Sequence, residues 1–108
     1  MKLDAQSIDA VARRAAVAAS GPAKVMVFGS YARGDAKDDS DLDLLVIEPG
    51  IGDKAEEYVR IRSAIGALDI GVDLLLYTEE EFERRSTVPG TLPYWAKREG
   101  KWVHERTA

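Results

Sequence analysis

FGSYARGDAKDDSDLDLLV, residues 28–46, sets seven charged side chains, five of them aspartates, between two apolar ends. Gly29 lets the chain turn tightly after the apolar run KVMVF (24–28), whose β-branched residues between Pro22 and Gly29 predict a strand. Ser30 is placed to cap a short helix running to Arg33 or Gly34. LDLLVI (42–47) predicts a second strand, closed by the turn-rich EPGIGD. If Asp41 and Asp43 both lie on that strand, alternation points them to one face with Cα atoms about 7 Å apart. Leu42, Leu44 and Val46 then point to the opposite face, into the core. Two carboxylates side by side repel, and a fold keeps them adjacent only when a cation relieves the cost. Hard oxygen ligands of this kind suit Mg²⁺, which is held by one or two carboxylates together with phosphates. A solvated acidic strand end is the plain alternative for Asp-x-Asp alone.

Asp73 shifts that balance. It stands in GVDLLLY (71–77), a predicted strand otherwise apolar from Val72 to Tyr77. A lone Asp opening such a strand is expensive unless it is paired or used. It shares a face with Leu75 and Tyr77, while Val72, Leu74 and Leu76 share the other. If this strand neighbours 42–47, Asp73 joins Asp41 and Asp43 as a third carboxylate; otherwise it is a strand-start Asp exposed to water. Gly29 and Ser30 read in two ways as well, as an ordinary turn with a cap or as a phosphate site at a helix N-terminus. Arg33, one turn on, either adds positive charge for phosphates or pairs with a nearby aspartate.

Outward from these motifs, strands alternate with helices, which implies an α/β layer with a small sheet. Ile8, Val11, Ala12, Ala15 and Ala19 recur at helical spacing and predict a helix over 4–19, with Asp4 as N-cap and SGP (20–22) as the stop. A second long helix is expected over 53–68, with Tyr58, Ile61, Ile65 and Leu68 on one face. Thr78 is placed to cap a short helix over 79–85. A last helix from about Pro93 to Glu99 carries Pro in its first turn, and KWVHE (101–105) reads as a closing strand. Trp95 and Trp102 read in two ways, as exposed aromatics that mark an interface or, the plainer expectation, as residues that pack the last helix onto the sheet.

The 108 residues suit one domain, 1–108, with a single modest core. Apolar residues make up 45% and charged residues 31%, ordinary for a soluble globular protein. There is no cysteine, which excludes disulfides, thiolate metal sites and thiol nucleophiles. No apolar run reaches the roughly 18 residues of a membrane span, and the N-terminus lacks a signal-peptide core, so a cytoplasmic location is expected. The formal net charge of −4 argues against direct nucleic-acid binding, which usually comes with a basic surplus. Three common motifs are absent. Gly29 and Gly34 have the spacing of a P-loop, but Asp35-Ala36 stand where Lys and a hydroxyl residue are required. A calcium loop starting at Asp39 would need Gly at Leu44 and Glu at Gly50. No G-x-G-x-x-G dinucleotide fingerprint is present. His104 is the sole histidine and reads as a surface or packing residue, so a histidine-based triad is unsupported.

Gly29-Ser30, ten residues, then Asp41-Leu42-Asp43, with Asp73 on a later strand, resembles the nucleotidyltransferase signature of the DNA polymerase β-like superfamily. The size and layout are similar to the minimal nucleotidyltransferases paired with helical HEPN-domain toxins, and VPGTLPYWAKREGKWVHE (88–105) resembles the tail of that group. The resemblance implies an α+β nucleotidyltransferase fold, with a small mixed sheet of three to four strands flanked by helices. It implies Mg²⁺-dependent transfer of AMP from ATP to a tyrosine of a HEPN ribonuclease, the small chain acting as antitoxin and forming a hetero-oligomer with its toxin. Asp41, Asp43 and Asp73 would then be the catalytic and metal-binding residues, and Gly29, Ser30 and Arg33 would bind the nucleotide. Two other functions stay open at this point: an antitoxin acting by occlusion alone, and a transferase for a small molecule or an RNA end. The latter enzymes carry an extra acceptor-binding domain for which 108 residues leave no length.

Overall fold

The computed structural model describes residues 2–108. Its elements in chain order are α1 (Ala5–Ala18), β1 (Ala23–Phe28), α2 (Ser30–Arg33), β2 (Leu42–Glu48), α3 (Lys54–Ile65), β3 (Val72–Thr78), α4 (Glu79–Ser86), α5 (Leu92–Glu99) and β4 (Lys101–Arg106). The strands form one mixed sheet in the order β3-β2-β1-β4. β1 pairs antiparallel with β2 and with β4, the latter with a register shift between Val25 and Met26, while β2 and β3 run parallel. The α/β architecture with a small mixed sheet expected from the sequence is therefore present, with four strands.

Helices cover both faces of this sheet, which decides how β2 is read. Leu42, Leu44 and Val46 are buried with Val25, Val27, Leu74 and Leu76 beneath α1 and α3. Leu45 and Ile47 are buried on the other face with Met26, Phe82 and Ala96, beneath α4 and α5. Asp43 shares that second face with Leu45 and Ile47, so the carboxylate side of β2 is apolar along most of its length. Truncating a fully buried residue such as Leu44 to Ala would cost about 2–5 kcal/mol. Ala12, Ala15 and Ala16 are completely buried and let α1 lie close against the strands.

Local signals explain the element ends. Ser7 N–H donates to the Asp4 carboxylate at 2.7 Å and starts α1. Thr78 and Glu81 form a reciprocal capping box that starts α4. Thr91 accepts from Tyr94 N–H ahead of α5, with Pro93 in its first turn. The second long helix stops three residues earlier than periodicity predicts, at Ile65, where Gly66 turns the chain away. Its buried stripe also differs: Tyr58 is 40% exposed, and Glu57 is buried in its place.

Glu57 is buried because it has partners. Ser20 donates to its Oε2 from both N–H and Oγ, at 2.9 and 3.0 Å. Glu48, only 1% exposed at the end of β2, sits against it with its own Oε2 lacking any hydrogen-bond partner. Burial, then the hydrogen bond to Glu57 and the charge of Glu57, push Glu48 up to about 8, against the opposing pull of Arg106 and Arg60. Burial opposes the charge of Glu57 too, but hydrogen bonds from Glu48 and Ser20 outweigh it and hold Glu57 below its usual range. Glu48 therefore carries the proton of this pair at neutral pH. Close by, Arg106 donates to the carbonyl of Ala19 and to those of Ala16 and Val17, closing the end of α1 onto β4.

Candidate active site

The parallel pairing of β2 with β3 sets Asp43 directly beside Asp73. Their carboxyl groups lie within hydrogen-bond reach. Burial, then the hydrogen bond and the charge of Asp73, then the charge of Asp41, raise Asp43 to about 6, with Arg33 pulling the other way. Asp73 itself is exposed, on the outermost strand of the sheet. β2 starts at Leu42 as the sequence predicts, so Asp41 falls just before it and the condition that both aspartates share the strand is met by Asp43 alone. The Oδ1 of Asp41 stands 2.5 Å from where a Cβ on Gly71 would be, so its carboxylate lies over the entry to β3. Antiparallel pairing places Phe28, the last residue of β1, opposite Asp43 on its other side. The turn that follows Phe28 thus comes to rest on Asp43.

That turn requires glycine. Gly29 has φ 72° and ψ −150°, a conformation that residues with a side chain essentially never adopt. A Cβ at this position would collide with the Asp43 carboxylate. The cap of α2 differs from the sequence expectation: Gly29 occupies the N-cap, and Ser30 is the first helical residue and makes no side-chain capping bond. The carbonyl of Gly29 accepts from the N–H groups of Ala32 and Arg33, at 3.1 and 3.0 Å. Arg33 is held by Asp35 at 3.4 Å and by Glu99 at 3.6 Å, both surface contacts worth little individually. The aspartate pairing, one of its two predicted roles, is thus present as a weak surface contact.

Among the described residues, no three acidic or histidine side chains close around a single point as a finished metal cage. What the fold gathers is the Asp43–Asp73 pair, with Asp41 at the neighbouring strand entrance. The donor set fits a hard divalent cation, since the groups are all carboxylate oxygens and the pair Asp43–Asp73 is set side by side. A cleft of about 290 Å³ opens on this pair, bounded by Phe28, Tyr58, Leu75 and Leu92. Tyr58 and Leu92 went unnoticed as site residues in the sequence. Tyr58 reads there as part of an apolar helix face, and its exposure follows only from its place beside the sheet edge.

A family model described as a nucleotidyltransferase domain matches residues 8–101. The chain belongs to the nucleotidyltransferase domain family. The matched span contains Gly29, Ser30 and all three aspartates. Two solved structures are similar to this nucleotidyltransferase. One, described as the crystal structure of a toxin–antitoxin with AMP-PNP, aligns with a TM-score of 0.64 at 24% identity, over 94% of this chain and 73% of that one. The other, a putative nucleotidyltransferase from Sulfolobus solfataricus, aligns with a TM-score of 0.54 at 26% identity, over 74% of this chain and 71% of that one. No curated protein matches the sequence.

Proposed function

We propose that this nucleotidyltransferase moves AMP from ATP to a tyrosine hydroxyl of a HEPN-domain ribonuclease toxin in the cytoplasm, and so acts as the antitoxin of the pair. The observation that carries the reading is the acid pair Asp43–Asp73 seated against the Gly29 turn, in a chain of this family. The likeness to a toxin–antitoxin structure with AMP-PNP supports the choice of partner and nucleotide.

Asp41, Asp43 and Asp73 would hold Mg²⁺, which supplies neutralisation of charge on the triphosphate during in-line displacement. Gly29 lets the turn lie directly against the Asp43 carboxylate, and Gly29 and Ser30 of that turn would cradle the phosphates. Asp73, on the open side, receives the proton of the attacking tyrosine. The hydroxyl oxygen bonds to the α-phosphorus and the bond to the β-phosphate bridge oxygen breaks, releasing pyrophosphate. The acid pair reaches solvent through an open cleft, which leaves the acceptor side to be completed by the partner protein.

The test is to ask whether the neighbouring gene encodes a small helical protein with an R-x-x-x-x-H ribonuclease motif, and to incubate the chain with α-labelled ATP, Mg²⁺ and that protein. Label on a tyrosine of that protein, lost with Asp43→Asn, is the expected result. A neutralised ribonuclease with no label would replace catalysis by occlusion.

A further inference from the structure

Two hollows meet at Phe28 and Leu92. One is the cleft over Asp43 and Asp73. The other, about 480 Å³, lies on the far side of the Gly29 turn and is walled by Phe28, Gly29, Arg33, Leu92, Trp95 and Glu99. Its size falls in the range of about 300–1,000 Å³ typical of small-ligand pockets.

Trp95 is the unusual wall. The plainer sequence expectation packs it onto the sheet, yet it is 52% exposed. Its only ring partner among the described residues is Tyr94, edge-on at 5.2 Å and 88°. The rest of α5 is well accommodated, with Pro93 and Ala96 buried, so nothing in the packing of the helix demands an indole at this position.

The polar groups around the hollow are already engaged. Arg33 is bound to Asp35 and Glu99. Thr91 Oγ1 donates toward the carbonyls of Arg85 and Val88, both at 2.8 Å, and accepts from Tyr94 N–H. The walls that keep no polar partner of their own are the flat face of Trp95 and the apolar Phe28 and Leu92.

Building on the transfer reading above, we propose that the base of the nucleoside triphosphate stacks on Trp95 in this hollow, its phosphates running past Gly29 to Asp43 and Asp73. The two ends of the trough then divide the work. The β3 side, where Asp73 is exposed, stays open to the acceptor, and the α5 side holds the nucleoside. Stacking on an aromatic face tolerates any base, because every base has a π-face. The geometry thus gives binding energy with weak discrimination between adenine and guanine.

The test reads binding, not turnover. The chain has two tryptophans, so Trp102→Phe leaves Trp95 as the only indole. Titrating that variant with AMP-PNP or GMP-PNP in the presence of Mg²⁺ should quench its emission saturably, with dissociation constants within about threefold of each other. By calorimetry, Trp95→Ala should bind AMP-PNP between about tenfold and a hundredfold more weakly than wild type, with Trp95→Phe keeping most of the affinity. Inorganic tripolyphosphate should bind wild type and Trp95→Ala alike, which also shows that the variant is folded. Equal AMP-PNP affinity for wild type and Trp95→Ala, or no quenching on saturation, overturns the inference while leaving the transfer reading intact. A wild-type chain that binds neither AMP-PNP nor tripolyphosphate overturns both.

Discussion

Asp43 and Asp73 occupy paired positions on two parallel strands, with their carboxyl groups within hydrogen-bond reach of each other. Two like charges held this close cost stability, and under the proposed function a bound cation would offset that cost. Adding about 10 mM Mg²⁺ to chelator-treated protein should raise its melting temperature by roughly 2–5 °C, because a ligand bound only by the folded state stabilises it. The Asp43→Asn, Asp73→Asn double variant should show no such rise. Equal shifts in both proteins would place the cation elsewhere.

Replacing Asp73 alone separates chemistry from folding. Asp73→Asn should lower transfer by about 10²–10⁴-fold, the usual worth of a positioned proton acceptor. The same change removes a like charge beside Asp43, so the metal-free variant should gain on the order of 1 kcal/mol, given partial solvent screening. A denaturant melt alongside the transfer assay checks both. An Asp73→Asn protein that is less stable and fully active would contradict both expectations.

Gly29 and Gly34 both have positive φ, but only Gly29 presses on a side chain. Gly34→Ala meets open space and should cost about 1 kcal/mol, the conformational penalty alone. Gly29→Ala must also displace the Asp43 carboxylate. Its loss should exceed that of Gly34→Ala by at least about 1 kcal/mol, and transfer should fall with it. Thermal unfolding of the two variants side by side decides the matter.

Glu48 gives stability a pH dependence remote from the site. Its folded value, about 8, lies above the ordinary 4.5, so between those values the folded chain keeps a proton that the unfolded chain has released. The contribution is complete below about 4.5 and is lost as pH climbs to about 8, at no more than about 1.4 kcal/mol per pH unit. Glu48→Gln should match wild type near pH 4.5 and exceed it by roughly 2–3 kcal/mol at pH 8. Parallel stability curves for the two proteins over that range would rule out a buried proton at this position.

Much of this fold is legible in the sequence because local chemistry marks it. Asp4 and Thr78 cap the helices they were expected to cap, and the apolar runs at 24–28, 42–47 and 71–77 all form strands. The adjacency of Asp43 and Asp73 needs more than periodicity. It depends on β2 and β3 being neighbours in matching register, a long-range choice that the resemblance supplied and the residues did not. Burial of both faces of β2 has a local sign in the unbroken apolar run Leu44 to Ile47, but which helices cover the face of Leu45 and Ile47 depends on the chain far downstream. Glu48 and Glu57 stand on either side of a turn, in a stretch that reads as loop and helix surface. Only the meeting of the end of β2 with α3 and Ser20 makes them a buried pair. For Trp95 the sequence leaves both outcomes open, and the plainer one, packing onto the sheet, gives way to the exposed ring.

The placement of β4 has a consequence for how the molecule is made. β1 lies inside the sheet, yet one of its two neighbours is residues 101–106, which also carry the arginine that fastens the end of α1. While the ribosome is still adding those residues, an early strand waits with a bare edge of hydrogen-bonding groups, open to mispairing with other nascent chains. A nascent polypeptide stalled before Lys101 has all five described helices and most of its hydrophobic residues, and no means of finishing its sheet.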